Sequence, residues 1–235
     1  MTPATWRTGR AAIAAALAFQ MAATATAPAA RAQPGPGPWR SLIESNGMPA
    51  WKAYRADTIP SGWTVQAGVL SKSRPVGDIV SREEFGDFEL ELEWRIGKGG
   101  NSGIFYRGTE EYSHVYWSAP EYQLLDDANA ADGKLRLTSA ASNFALDSSP
   151  PGHLRPIGEW NRTRIVVRGA HVEHWLNGAK LVEYELWTPA WKAKVAASKF
   201  NAFPNFGLAK RGRLAIQGDH EGELAFRNIR IREWK

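Results

Sequence analysis

From residue 88 to residue 96 apolar and charged side chains alternate without a break: Phe88, Leu90, Leu92, Trp94 and Ile96 against Glu89, Glu91, Glu93 and Arg95. A period of two sends the two sets to opposite faces, so the pattern predicts a long strand with one buried and one wet face. Ile165 and Val167, between Arg164, Val166 and Arg168, repeat the pattern more weakly. Residues 171 to 176 and 179 to 184 flank Asn177-Gly178, the dipeptide best suited to the two positive φ angles of a type I′ turn, and predict a tight hairpin. Residues 214 to 217 and 224 to 231 predict two further strands. One helix interrupts them. Thr188 can cap it, Pro189 takes its first position, and residues 190 to 199 are good helix formers with Lys192, Lys194 and Lys199 toward the end that favours cations. Many strands spaced by turns, with one short helix, predict an all-β sandwich of two antiparallel sheets.

The start of the chain follows a different logic. Arg7 and Arg10 precede an Ala-rich apolar run over residues 11 to 23, and Ala30-Arg31-Ala32 before Gln33 has the small-x-small form of a signal-peptidase site. Residues 1–32 therefore read as a secretory signal peptide, 33–38 as a disordered Pro/Gly linker, and 39–235 as a single domain. The apolar run is too short for a spanning helix. The expected mature protein is soluble, exported to the periplasm or beyond the cell, and carries no membrane anchor. The chain of 235 residues contains no cysteine, so neither disulfides nor a lipidated Cys enters; eleven Trp supply core surface instead. Its net charge of +5 drops to +2 once Arg7, Arg10 and Arg31 leave, with 26 basic against 24 acidic residues remaining. Basic and acidic positions interleave and no basic run occurs, which argues against nucleic acid as a partner.

Two Gly- or Pro-bounded runs carry the candidate chemistry, Gly99-Gly100-Asn101-Ser102-Gly103-Ile104-Phe105-Tyr106-Arg107-Gly108 and Pro120-Glu121-Tyr122-Gln123-Leu124-Leu125-Asp126-Asp127. Amide and carboxylate forks suit vicinal hydroxyls, aromatic faces suit a sugar ring, and a carboxylate can move a proton. Glu121 and Gln123 share a face by strand parity; Asp126 joins them only if a bulge adds a residue. Glu-x-Gln-x-x-Asp resembles in layout the acid motif of laminarinase-type glycosidases, with an amide where the middle carboxylate would stand. Each residue also has a plain reading. Glu121 and Asp126 can flank an exposed strand, Asn101 and Ser102 can bond their own turn, and Arg107 can pair with Glu121. Tyr112, Tyr116, Trp117 and Trp160 can floor a sugar subsite or belong to the core. Of the five histidines, His171 reads as a surface residue and His174 as a partner for Trp packing. His114, His153 and His220 are the imidazoles open to a metal site, without recognisable ligand spacing. There is no Gly-x-Ser-x-Gly elbow and no phosphate loop before a helix.

Several blocks occurring in order, Gly77-Asp78-Ile79-Val80-Ser81, Phe85-Gly86-Asp87-Phe88-Glu89-Leu90, Gly100-Asn101-Ser102-Gly103-Ile104, Pro120 to Asp126, Gly158-Glu159-Trp160-Asn161, His171 to Gly178 and Phe226-Arg227-Asn228-Ile229-Arg230-Ile231-Arg232-Glu233, resemble the 3-keto-disaccharide hydrolase family across residues 39 to 234. The resemblance implies a concanavalin A/laminin-G-like jelly roll in an exported protein that cleaves glycosides already oxidised to a ketone at C3. Such a ketone acidifies the C2 proton, so one base can form an enolate and expel the C1 substituent, with water adding back afterwards. Within that reading Glu121 transfers the proton, and Gln123, Asn101 and Arg107 orient hydroxyls and the developing oxyanion, with Ser102, Tyr106, Tyr116 and Trp117 as further sugar contacts. Asp126 and His153 are second choices as acid or ligand. A divalent cation, which some family members are expected to use, would polarise the ketone. The segment Gln217-Gly218-Asp219-His220 departs from the family's more usual Gln-Asp-His-Gly by an inserted Gly before Asp219, which bears on any role for His220. Two other readings stay open from the residues alone: a non-catalytic carbohydrate-binding module and an ordinary laminarinase-type glycosidase.

Overall fold

The strand expected from the 88–96 alternation forms over those residues and lies near the centre of the larger sheet. The computed structural model describes residues 1–2 and 35–234. Apart from its first two positions the expected signal peptide lies outside the described residues, as do linker residues 33 and 34. The strands are β1 (Arg40–Ser41), β2 (Trp51–Ala53), β3 (Thr64–Gln66), β4 (Val69–Lys72), β5 (Ile79–Phe85), β6 (Phe88–Ile96), β7 (Asn101–Gly108), β8 (Glu121–Leu125), β9 (Asn161–Arg168), β10 (His171–Leu176), β11 (Ala179–Glu185), β12 (Gly212–Ile216) and β13 (Leu224–Glu233), with one helix, α1 (Pro189–Ala196). They build two antiparallel sheets. One runs β11-β10-β9-β6-β13-β4-β3 with β1 beside β13; the other runs β2-β5-β12-β7-β8. The expected linker is already bound where it is described: Pro36 bridges to Trp234, and Gly37 N donates to Glu233 O at 2.8 Å. Among the described residues no helix is long and apolar enough to cross a membrane.

The core fills the space between the sheets. Phe88, Leu90, Trp94, Ile165, Val167, Phe226 and Ile231 from the larger sheet belong to one buried cluster with Ile79, Ile104, Tyr106, Tyr122, Leu124, Leu214 and Ile216 from the smaller. Three of the polar groups inside it are paired in a chain: Trp94 Nε1 donates to Thr163 Oγ1 at 2.9 Å, and Thr163 donates to Tyr122 O–H at 2.9 Å. The strand parity that buries Tyr122 and Leu124 turns Glu121 and Gln123 to the other side of β8, away from this core. There a small second cluster of Val80, Phe105, Val115, Ala119 and Ala215 supports the functional face.

Three expectations are corrected. The first part of the charged face of β6 is not wet: Glu89 is 2% exposed and Glu91 9%, while Glu93 is half-buried and Arg95 exposed. Arg164 and Arg232 reach Glu89 at 3.1 and 2.7 Å, and Arg162 and Arg230 reach Glu91 at 2.9 and 2.6 Å. Their stems cover the carboxylates, and Trp39 covers Arg230 and Arg232 in turn. The helix stops at Ala196 rather than at residue 199. Ser198 takes an extended conformation, and its hydroxyl accepts from Phe200 N at 3.1 Å, capping a separate 3₁₀ turn over Lys199–Ala202. The hairpin turn at Asn177-Gly178 does form, with φ of 50° and 90°. His174, however, packs among Tyr106, Tyr122 and Tyr184 rather than against Trp.

Ala141 O accepts from His174 Nδ1 at 3.0 Å, which fixes the tautomer, so Nε2 accepts the Tyr106 hydroxyl at 2.8 Å. Full burial pulls the imidazole pKa down to about 4. Between about 4 and its ordinary value the unfolded chain binds the extra proton, so this group's contribution is complete above about pH 6.5 and is lost as pH falls toward 4. In urea unfolding, the stability penalty of His174→Gln relative to wild type is expected to shrink by about 3 kcal/mol between about pH 7 and pH 4. Equal penalties at both pH values contradict the assignment.

Candidate functional site

A cavity of about 340 Å³ opens on the face of the smaller sheet turned away from the core. Its floor comes from neighbouring strand ends, with Asn101 on β7, Glu121 and Gln123 on β8, and Gln217 just past β12. Tyr116, Trp117, Phe144, Asp132, Lys199, Asp219 and His220 complete the lining from connecting segments. Gly103 makes room for the central group. A Cβ there would sit 2.1 Å from Glu121 Oε1 and 2.8 Å from its Cδ, so the carboxyl lies directly over bare backbone. The Gln123 amide, with its nitrogen turned to the acceptors around it, donates to Glu121 Oε1 at 3.0 Å and to Ser102 O at 2.9 Å. Asn101 donates to Asp132 Oδ2 at 3.0 Å. Gln217 is 6% exposed, and its buried Oε1 has no partner, leaving a free acceptor in the cavity wall.

Glu121 is 8% exposed and takes part in no ion pair among the described residues. Burial pushes its carboxyl up to about 8; Asp78, Asp132 and Asp219 push the same way, and Lys199 pulls it back. Asp78 rises to about 6, chiefly by burial, although Gly218 N donates to it at 2.8 Å. Burial also raises the Tyr116 phenol, which Asp219, Asp78 and Glu121 surround. The site is thus an acidic, partly desolvated cleft in which one carboxyl holds its proton into the neutral range.

Of the residues expected from sequence, Glu121, Gln123, Asn101, Tyr116, Trp117 and His220 converge on this cavity. Ser102 lies beneath it and donates to Gln217 O at 2.8 Å. Asp126 turns elsewhere. The β7–β8 pairing runs without a register shift, so no bulge brings it round; it accepts from Gly99 N at 2.8 Å and Asn129 Nδ2 at 2.7 Å, closing its own loop. Burial opposes ionisation there, but these bonds outweigh it and hold the carboxyl below its usual range. Arg107 does not pair with Glu121: it donates to Gly86 O, Gly169 O and Asp87 and lies over Trp187. Tyr106 is in the core with His174 and Tyr184. Trp160 lies under Arg95 and Arg227 at 5.1 and 4.2 Å, outside the cavity lining. Tyr112 packs edge-on against Phe203.

Lys199, Asp132, Phe144 and Gln217 were not singled out by sequence. The first three sit on short turns without periodicity, and the available signal was only that Ser198 interrupts a helical pattern. The inserted Gly218 is accommodated because a Cβ there would meet Val76 O at 2.8 Å and Gly77 O at 2.9 Å, so only glycine fits. The loop it enters is anchored by Lys72, whose ammonium donates to His220 O at 2.6 Å and Gly222 O at 3.3 Å.

His114 stacks on Tyr116 at 4.8 Å, while His153 lies outside the lining and offers its carbonyl to Asn177. Asp219 and His220 stand 3.7 Å apart, yet among the described residues no third acid or imidazole of the cavity gathers with them at ligand spacing. His171, Glu173 and Glu183 do gather on the β10–β11 hairpin, where the Lys180 ammonium already sits 3.2 and 2.7 Å from the two carboxylates.

Residues 38–232 match the family described as the 3-keto-alpha-glucoside-1,2-lyase-like domain. The chain is 34% identical over 224 aligned positions to the 3-keto-disaccharide hydrolase of Bacteroides thetaiotaomicron, covering 82% of this chain and 77% of that one. A crystal structure from Parabacteroides distasonis, provisionally named a glycosyl hydrolase, superposes with a TM-score of 0.78 at 30% identity, covering 84% of this chain and 94% of its own. A galectin-like Bacillus subtilis protein superposes at 0.53 with 10% identity over 86% of this chain and 99% of its own, which fits the jelly-roll architecture alone.

Because the folded carboxyl of Glu121 holds its proton up to about 8, the native state binds more protons than the unfolded chain above the ordinary value of 4.5. Stability from this group therefore falls as pH rises from about 4.5 to 8. Glu121→Gln is expected to gain on wild type by a few kcal/mol between about pH 5 and pH 9 in denaturant titrations. A pH-independent difference would show that the carboxyl is not desolvated.

Proposed function

The chain belongs to the 3-keto-alpha-glucoside-1,2-lyase-like family, and from that premise we propose that it processes carbohydrate by breaking glycosidic bonds of sugars carrying a ketone at C3. The observation that supports this most is Glu121, a desolvated carboxyl without a charged partner at the floor of a cavity lined by amides and aromatic rings. A carboxylate with a raised pKa is a stronger base than an exposed one, and a C2 hydrogen next to a C3 ketone is acidic enough for such a base. Glu121 takes that proton, and the C1 oxygen substituent leaves from the adjacent carbon. The protonated carboxyl then returns its proton to the departing alcohol, and water adds to C1 of the unsaturated ketone where net hydrolysis results.

The remaining residues position the sugar. Gln123 and Asn101 present amides toward ring hydroxyls, the free Gln217 oxygen accepts from one, and Tyr116 and Trp117, with ring centroids 4.7 Å apart, offer apolar faces. Direct displacement would need a second carboxyl about 5 Å from the first. Gln123 occupies the same-face position on β8, and Asp126 is turned into its loop. The leader pattern of residues 1–32 supports export, so the substrate is met outside the cytoplasm.

Incubating the full-length protein with an aryl glucoside and with its 3-keto derivative tests the reading. Release of phenol from the keto sugar alone is expected. Release from the unoxidised glucoside would instead identify an ordinary glycosidase, and binding without turnover a carbohydrate-binding module. Turnover (kcat/KM) is expected to rise with pH to a plateau above about 8, where Glu121 is ionised. Gly103→Ala, which pushes the carboxyl off its seat, should lower kcat by about 10² with an unchanged circular-dichroism spectrum. A variant with wild-type kcat would remove Glu121 from its role.

A further inference from the structure

Lys199 is the one lysine of the cavity and has no task in the elimination as written. The break at Ser198 places it at the start of its own turn. Its Nζ lies 4.3 Å from the Phe144 ring centroid and 5.3 Å from that of Phe200. Among the described residues it makes no ion pair and no hydrogen bond. The side chain remains reachable from the cavity mouth, yet desolvation draws its pKa below the ordinary lysine value, with Glu121 and Asp132 acting against that. Lys199 is exposed at the cavity rim, and an amine of lowered pKa held there without an ion pair or hydrogen bond can attack a carbonyl bound in the cavity.

The charge around it selects covalent over purely electrostatic help. An enolate would add a negative charge to a cleft where Asp78, Asp132 and Asp219 already disfavour the ionised form of Glu121. An enamine formed from a protonated imine is neutral, so the same proton can leave without adding to that repulsion. Resting on the ketone reading above, we propose that Lys199 condenses with the C3 carbonyl and that Glu121 removes the C2 proton from the resulting protonated imine.

The steps balance. Nζ, as the neutral amine, bonds to C3, and the carbonyl oxygen leaves as water with one proton taken from the Glu121 carboxyl; this gives the C=N⁺–H group and leaves Glu121 as the carboxylate, which regains that proton when the imine is hydrolysed. The C2–H bond breaks toward Glu121, its electron pair forms C2=C3, and the C=N pair returns to nitrogen. The enamine then pushes back, C2=C1 forms, and the C1–O bond breaks with the proton from Glu121 going to the alcohol. Water hydrolyses the imine, restoring Lys199 and releasing the unsaturated ketone, or adds to C1 before it does so.

The test is reductive trapping of the full-length protein with an aryl 3-keto-glucoside and sodium cyanoborohydride, followed by intact-mass and peptide analysis, alongside Lys199→Arg. A sugar-derived adduct on Lys199, with turnover by Lys199→Arg reduced by about 10² or more and its adduct absent, is the expected result. Arginine keeps the positive charge, so an electrostatic role alone would leave the variant within about tenfold of wild type. Wild-type turnover without an adduct, or that mild effect in the variant, overturns the imine and leaves the elimination standing. No cleavage of the keto sugar by wild type defeats the elimination itself, and the imine with it.

Discussion

A carboxyl buried in a cleft without an ion-pair partner is the constraint around which this molecule is arranged. Glu121 is kept there by three features of the sheet: strand parity, which turns it away from the core; Gly103, which leaves room for it; and Gln123, which donates to it without supplying charge. Asp78, Asp132 and Asp219 then raise the cost of ionising it. Such a group destabilises the native state at high pH. Proteins keep strained or desolvated groups of this kind where the surrounding fold can bear the cost, and sites of chemistry are where they collect.

The two sheets divide the work. On the outer face of β6 every acidic side chain is matched by arginines from β9 or β13, and tryptophans lie over Arg164, Arg227, Arg230 and Arg232, so charge there is neutralised in place. The smaller sheet does the reverse. Around its cavity it gathers acids, and Lys199 is the one lysine of the lining. The paired tyrosines and histidine between the sheets give a rigid backing to β7 and β8, since Tyr106 and Tyr122 are anchored to β10 and β9 on the opposite sheet. Rigidity would matter for the proposed role of Glu121, because a base misplaced by about 1 Å loses most of its effect.

Wherever a single period governs a segment, the sequence was a sufficient guide. The alternation of residues 88 to 96, the Asn177-Gly178 turn and the shared face of Glu121 and Gln123 all follow from local chain geometry, and the structure has them so. Asp126 needed a bulge, which depends on what the neighbouring strand does and leaves no mark in the motif itself. The burial of Glu89 and Glu91 depended on arginines from strands remote in sequence. Ala and Lys around Lys199 favour a helix, but the capping preference of Ser198 prevails and starts a separate turn there. Asp132 and Phe144 lie on turns without a repeating pattern, and only the folded chain brings them over β8.

The account turns on whether the hydrogen at C2 is removed by the protein before the glycosidic bond breaks. The most direct measurement is turnover of a 3-keto glucoside deuterated at C2, with the remaining substrate and the sugar product analysed for deuterium. Several-fold slowing on kcat/KM and loss of the C2 label from the product are the predicted results. Equal rates for the two isotopologues, with the label fully retained in the released sugar, would contradict proton abstraction and the role assigned to Glu121.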